Sequence, residues 1–166
     1  MTVRTRLSTS RALAAGAAAG AAGTTALNAV TYLDMAVRGR PTSSTPEQTV
    51  EKMAELVHVG IPGEGETRDN RVAGLGPLAG LVTGIGSGAV LGLAYAAGWR
   101  PRPVTAAAVA TGLALLGSNG PMTALGVTDP RTWPLSSWVS DLVPHLAYGA
   151  VAAAVVRGLV APSAAS

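Results

Sequence analysis

The hydrophobic and polar positions of this chain alternate in long blocks rather than at short intervals. Four blocks are apolar and almost free of charge over roughly twenty residues or more, which is the length that an α-helix needs to cross a bilayer. They cover residues 12–37, 75–98, 104–127 and 141–161. This pattern predicts an all-α protein in which four transmembrane helices form a bundle, within a single integral membrane domain over residues 1–166.

A shorter amphipathic helix is predicted between the first two spans, in the loop over residues 38–73. Thr45 and Gln48 match the N-cap and N3 positions of a capping box, and a proline lies between them at N1. We expect this helix to run over about 46–59 and to stop at Gly60. It would rest on the membrane surface or cap the bundle. Its expected apolar face consists of Val50, Met53, Ala54 and Val57.

Glycines recur at every fourth position along the second span. They are Gly76, Gly80, Gly84, Gly88 and Gly92, and we call them the glycine stripe. A four-residue spacing places them on one side of a helix, where the backbone of another helix can approach closely. The stripe predicts helix packing, either inside the bundle or between subunits. Gly16 and Gly20 on the first span form a matching small surface.

Polar residues are few in these spans, and ionisable groups near a membrane interior are costly enough to be functional candidates. The predicted topology brings one candidate polar cluster together: Asp34, Arg38, Asn119, Asp141 and His145. Asp141 and His145 are four residues apart, so a helix places them on one face. A carboxylate beside a histidine can hold a proton near neutral pH, which makes a proton or cation pathway one interpretation. The other is that these groups only pair with each other and with water.

The third span contains the segment 117–121, Gly-Ser-Asn-Gly-Pro. Proline removes a backbone donor and disfavours helical angles in the residue before it, so we expect this segment to break or kink the helix. A broken membrane helix can expose backbone groups to substrates or ions, although many kinks only ease packing.

Composition supports a membrane protein and excludes several kinds of chemistry. Charged residues make up 13% of the chain, about half the usual share, and hydrophobic residues 48%. The chain has no cysteine, which excludes disulfides and thiol catalysis, and its two histidines lack a metal-ligand spacing. We predict no metal and no cofactor. The basic residues flank apolar spans rather than forming one patch, so we predict a lipid bilayer as partner and no nucleic acid.

Enzyme signatures are also missing, since the sequence has no GxSxG elbow, P-loop or dinucleotide fingerprint. Ser136, Ser137 and Ser140 lie near Asp141 and His145 in sequence, but nearness in sequence is not the geometry of a catalytic triad. We therefore predict a protein that is not an enzyme.

Charge also bears on orientation. With four spans, the N-terminus, the 99–103 loop and the C-terminus share one side, and all nine acidic residues lie on the other. The basic residues of the acid-free side are Arg4, Arg6, Arg11, Arg100, Arg102 and Arg157. This side is the better cytoplasmic candidate, which predicts a cell-membrane protein with both termini inside. Arg38 and Arg40, directly after the first span, favour the opposite orientation.

The first span could also be read as a cleaved signal peptide, because basic residues precede a run of small residues. The apolar run continues to Asp34, well past the length of a normal signal segment, and this favours a retained transmembrane helix.

Three stretches of the sequence resemble uncharacterised small multi-pass membrane proteins of actinobacteria. They are residues 28–35 with 38–41, residues 129–133 and residues 144–149. The resemblance implies a membrane protein and carries no activity or catalytic residue. The glycine stripe, together with the missing catalytic motifs, favours a non-enzymatic packing or accessory subunit that self-associates or binds another membrane protein. The alternative is a small proton or ion channel or transporter that uses the polar cluster.

Overall fold

Five α-helices make up most of the computed structural model, which describes residues 8–160. They are α1 (Thr9–Arg38), α2 (Thr45–Leu56), α3 (Gly65–Ala96), α4 (Pro103–Ala124) and α5 (Leu135–Val160), with a short 3-10 helix at Pro130–Thr132. No strand occurs in the described residues, so the predicted all-α class is confirmed. Arg4, Arg6 and Ala161, which entered the sequence-based predictions, lie outside the described residues.

The four long helices form a ring in which neighbours run antiparallel. Helix α1 packs against α3 and α5, and α4 packs against the same two helices. Ala12 lies beside Gly92 and Gly20 beside Gly84, so α1 and α3 run in opposite directions. On the other side, Thr111 of α4 lies beside Gly149 of α5. The order around the ring is therefore α1, α3, α4, α5, and α3 and α5 face each other across its diagonal.

Three helices, α1, α3 and α5, are long and apolar enough to cross a membrane, which is compatible with an integral membrane protein. Helix α4 has 22 residues but is not among them. Ser118, Asn119 and the prolines Pro103 and Pro121 lower its mean hydropathy. The predicted count of four apolar spans is thus matched only in part.

Two of the predicted spans begin six or more residues earlier in the structure than their apolar blocks. Helix α3 begins at Gly65 instead of Leu75, and its polar first turns contact α2, where Arg68 forms an ion pair with Glu51 at 2.7 Å. Helix α5 begins at Leu135 instead of Asp141. Hydropathy identifies only the apolar part of a helix. The additional turns at the start of each of these helices are therefore not predicted by it.

The bounds predicted for α2 were wrong at its C-terminal end, and its N-cap is one residue earlier. Ser44 rather than Thr45 is the N-cap, and the side-chain amide of Gln48 donates to the Ser44 hydroxyl at 2.8 Å. The helix ends at Leu56, before the expected stop at Gly60, because His58 adopts a left-handed conformation with φ of 56°. The His58 and Val59 amides then close the helix by donating to carbonyls of its last turn.

The apolar face predicted for α2 is only partly covered by the bundle. Val50 and Ala54 are half-buried, whereas Met53 and Val57 are exposed. The buried position of this helix is Thr49, whose hydroxyl donates to the Thr45 carbonyl at 2.7 Å.

The expected break in the third span does not occur. Helix α4 continues through residues 117–121 and ends at Ala124. Pro121 lies close to the C-terminal end of the helix, where its missing N–H removes one backbone hydrogen bond and leaves the earlier turns intact. The chain leaves the helix just after Ala124, at Gly126, which has φ of 69°.

The centre of the bundle is made largely of small side chains with a few large ones between them. The buried cluster consists of Ala19, Leu91, Tyr95, Ala110, Ala114, Tyr148, Ala152 and Val156. Only 3% of Tyr95 is exposed. Its ring lies in this cluster and contacts Trp99 edge to face, with ring centroids 5.8 Å apart.

Candidate functional site

The predicted polar residues lie at one end of the bundle, where α1 and α4 finish and α3 and α5 begin. We call it the polar end. The antiparallel order of the ring brings these helix ends together. The structure places the five predicted residues in two neighbouring groups. One contains Asp34 and Arg38, and the other contains Asn119, Asp141 and His145.

The first group centres on the carboxylate of Asp34. It accepts hydrogen bonds from Arg38 at 3.3 Å and from Arg40 Nε at 2.5 Å. Arg38 also donates to the Ser140 hydroxyl at 2.8 Å, which joins the end of α1 to the start of α5. Sequence reasoning left Arg40 and Ser140 out of this group. Their contacts depend on the turn after Gly39 and on an α5 that starts earlier than predicted.

The second group joins α4 to α5. Asn119 Nδ2 donates to Asp141 Oδ2 at 2.9 Å. His145 Nδ1 lies 2.7 Å from the Asp141 backbone carbonyl and 3.5 Å from Asp141 Oδ1. His145 Nε2 lies 3.1 Å from Ser118 Oγ. His145 is only 8% exposed, and both of its ring nitrogens have a hydrogen-bond partner within the protein.

Ser118 gives this group two alternative hydrogen-bond patterns. Its hydroxyl lies 2.9 Å from the Ala114 carbonyl, a second acceptor besides His145 Nε2. With a neutral ring, Nδ1–H donates to Asp141 and the Ser118 hydroxyl donates to Nε2. When the Ser118 hydroxyl instead donates to the Ala114 carbonyl, its oxygen can accept a hydrogen bond from a ring N–H of His145.

This group superficially matches a Ser-His-Asp set, but with a different serine from those near it in sequence. The serine in contact with His145 is Ser118 on the facing helix. The shorter contact of His145 Nδ1 is with the backbone of Asp141 rather than with its carboxylate. A pair of residues on facing helices leaves no short-range pattern, so the sequence could not assign Ser118 to this role.

The glycine stripe divides among three environments. A Cβ added to Gly84, Gly88 or Gly92 would lie less than 3.0 Å from atoms of α1. These three glycines therefore form the contact between α1 and α3, opposite Gly16, Gly20 and neighbouring residues. Gly76 lies beneath Glu47 of α2, and Gly80 has nothing within 4 Å of its added Cβ.

Tyr148 is a central residue that sequence reasoning missed. It is 1% exposed, and its hydroxyl donates to the Gly84 carbonyl at 2.6 Å. The ring lies against Gly23 of α1. In the sequence it is a lone tyrosine in an apolar helix, and that pattern does not identify it as a packing residue.

A cleft of about 250 Å³ lies on the α2 side of the polar end, between α2 and the start of α3. Its polar lining consists of Glu51, Glu55, His58 and Arg68. Within residues 8–160, no group of three or more histidine, cysteine or acidic residues is arranged to hold a metal ion.

No protein-family model, curated protein or solved structure matches this chain. The resemblance to small actinobacterial membrane proteins stays a prediction.

Proposed function

We propose that this is an integral membrane protein in which α4 crosses the bilayer together with α1, α3 and α5. The supporting observation is the direction of the helices. Helices α3 and α5 run the same way through the bundle, so the chain must return between them if both cross. Helix α4 is the helix of that return, and its 22 residues extend over about 33 Å, enough for a hydrocarbon core of about 30 Å.

We further propose that it acts as a non-enzymatic accessory subunit that binds membrane helices, in the cell membrane and with both termini cytoplasmic. The interior is filled by glycine, alanine and tyrosine contacts, and the charged residues of the polar end pair with one another. Large apolar side chains instead face outward. They include Leu78, Val82, Leu116 and Leu146, each at least half exposed. Such an exterior suits lipid and other membrane helices.

The glycine stripe bears on how a second copy would bind. Because Gly84, Gly88 and Gly92 are occupied by α1, the open position for another helix is Gly80. We expect the purified protein to form a discrete oligomer or to retain a membrane partner. Gly80→Leu should weaken that association while the monomer stays folded, whereas Gly84→Leu should disrupt the fold itself. A protein that is strictly monomeric and partner-free in mild detergent and in lipid would contradict the accessory role.

A proton or cation pathway is the second candidate, and the chain of contacts from Asn119 through Asp141 and His145 to Ser118 favours it. The test is proton and cation flux in liposomes that contain the purified protein. On this hypothesis His145→Ala and Asp34→Asn abolish flux. His58→Ala, which changes an exposed histidine outside the bundle, leaves it intact. No flux from folded wild-type protein would exclude the pathway.

A further inference from the structure

The end of the bundle opposite the polar end, where α1 and α4 begin and α3 and α5 finish, carries four arginines in the described residues. They are Arg11, Arg100, Arg102 and Arg157, and we call this the arginine end. None of them pairs with a carboxylate within residues 8–160, and all nine acidic residues of the chain lie elsewhere. Around the polar end, by contrast, Arg38, Arg40, Arg68 and Arg131 each have an acidic partner, and Arg71 is the exception there within residues 8–160.

Two of these guanidinium groups are oriented by backbone carbonyls. Arg100 Nη1 donates to the Tyr95 carbonyl at 2.5 Å and to the Trp99 carbonyl at 2.8 Å. Arg157 Nη1 donates to the Pro101 carbonyl at 3.4 Å, and its side chain is half-buried. A guanidinium has five N–H donors, and these hydrogen bonds use only Nη1 of each. The remaining donors have no hydrogen-bond partner within residues 8–160.

An unpartnered buried hydroxyl lies at the same place. The hydroxyl oxygen of Tyr95 is buried without any hydrogen-bond partner in the described part of the chain. Arg100 lies 5.6 Å from the centroid of the Tyr95 ring. A buried donor without a partner is costly, but this oxygen has no accessible surface, so an acceptor from outside the chain would reach it only after neighbouring side chains move.

We propose that the arginine end binds the phosphate of an anionic phospholipid, with Arg100 and Arg157 as its principal ligands. Guanidinium groups bind phosphate oxygens through paired hydrogen bonds, and anionic lipids attract basic residues at the cytoplasmic membrane surface. Val104 and Leu159 are exposed within a few residues of the two arginines and would contact the acyl chains. Trp99 lies beside them at the level expected for headgroups.

This proposal rests on the membrane location proposed above, so the experiment first tests that location. The full chain is expressed in cells, and its membranes are washed with alkaline carbonate before purification. The protein is then placed in nanodiscs of phosphatidylcholine, and native mass spectrometry measures retained lipid as phosphatidylglycerol with the same acyl chains is titrated in. Release by carbonate would contradict the membrane proposal, and only retained protein tests the lipid site.

The matched variants each remove two positive charges. Arg100→Gln with Arg157→Gln removes the proposed ligands, and Arg68→Gln with Arg131→Gln removes two arginines that already have acidic partners. We expect wild-type protein to prefer phosphatidylglycerol over phosphatidylcholine. The first double variant should lose about fivefold in affinity per arginine, or about 25-fold together. The second should stay within about twofold of wild type.

A final arm separates a lipid from a free anion. Inorganic phosphate in the millimolar range should displace little phosphatidylglycerol, because it lacks the acyl chains. Equal retention of the two lipids by carbonate-resistant protein, or an equal loss in both double variants, would overturn the proposal. Complete displacement by inorganic phosphate would assign the site to a soluble anion and would also overturn it.

Discussion

The hydroxyl of Tyr148 on α5 donates a hydrogen bond to the backbone carbonyl of Gly84 on α3, at 2.6 Å. This contact crosses the diagonal of the ring, between two helices that otherwise barely touch. It is possible because Gly23 of α1 leaves room for the tyrosine ring and because Gly20, whose added Cβ would lie 2.5 Å from the Gly84 carbonyl oxygen, leaves that oxygen accessible. One hydrogen bond thus joins the helix that carries the glycine stripe to the helix that carries Asp141 and His145.

Tyr148→Phe should therefore destabilise the bundle by about 1 kcal/mol, the usual net value of one hydrogen bond and within the range for membrane helices. The Gly84 carbonyl keeps its position in the α3 helix, so the variant should still fold. Unfolding in a denaturing detergent, followed by circular dichroism, measures the difference. Tyr32→Phe is the control, because Tyr32 is 61% exposed. Equal effects of the two substitutions would contradict a central role for Tyr148.

Gly88→Ala and Gly86→Ala form a matched pair two residues apart on α3, on opposite sides of the helix. At Gly88 the new methyl would lie less than 3.0 Å from backbone atoms of Gly16 and Gly20, which cannot rotate away. At Gly86 it meets nothing within 4 Å.

In this pair, we expect Gly88→Ala to cost about 1–3 kcal/mol from overpacking, before a gain of about 1 kcal/mol in helix propensity. Gly86→Ala should show only the stabilisation of about 1 kcal/mol from helix propensity. The same detergent unfolding assay compares them. If Gly88→Ala proved as stable as Gly86→Ala, close packing of α1 on α3 would be wrong.

His58→Gly should stabilise the end of α2. His58 has φ of 56°, a conformation that costs a side-chain-bearing residue about 1 kcal/mol relative to glycine. Because the residue is exposed, the substitution removes no packing. Hydrogen exchange of the α2 amides should slow by several-fold, while exchange in α4 stays unchanged. Faster exchange in α2 would show that the histidine side chain stabilises this turn.

The loop before α5 supplies a pH-dependent interaction. Arg131 donates to the Asp129 carboxylate and holds the pKa of that carboxyl below its ordinary value of 3.8. Because folding lowers this pKa, the interaction contributes fully above pH 3.8 and is lost as the pH falls through the folded pKa. Arg131→Gln should return the Asp129 pKa towards 3.8, as followed by carboxyl chemical shifts in a nuclear magnetic resonance titration. An unchanged pKa in the variant would exclude Arg131 as the cause.

Much of the helix content could be predicted from apolar blocks and small-residue spacing. The first predicted span, 12–37, lies within α1, because the sequence stays apolar up to Asp34. The helix ends at Arg38, and its C-cap is Gly39, which has φ of 62°. The polar first turns of α3 and α5 could not be predicted, since their helical state depends on tertiary contacts such as Arg68 with Glu51. The left-handed His58 likewise has no signal in the sequence.

For the polar end, the sequence indicated which residue types to examine but not which of them meet. Asp141 with His145 followed from their spacing on one helix. Asn119 with Asp141, and Ser118 with His145, depend on the register between α4 and α5. That register is set by small residues such as Gly149 against Thr111, and no short-range pattern encodes it.

The central claim is that α4 crosses the membrane, and single-cysteine labelling tests it directly because the chain has no cysteine of its own. Cysteines at Ser8, Glu55, Arg102 and Thr132 would be exposed to a membrane-impermeant maleimide in intact and in opened cells. If α4 crosses the membrane, the cysteines at positions 8 and 102 should be labelled from one side of the membrane and those at positions 55 and 132 from the other. Labelling of positions 102 and 132 from the same side would contradict a membrane-spanning α4.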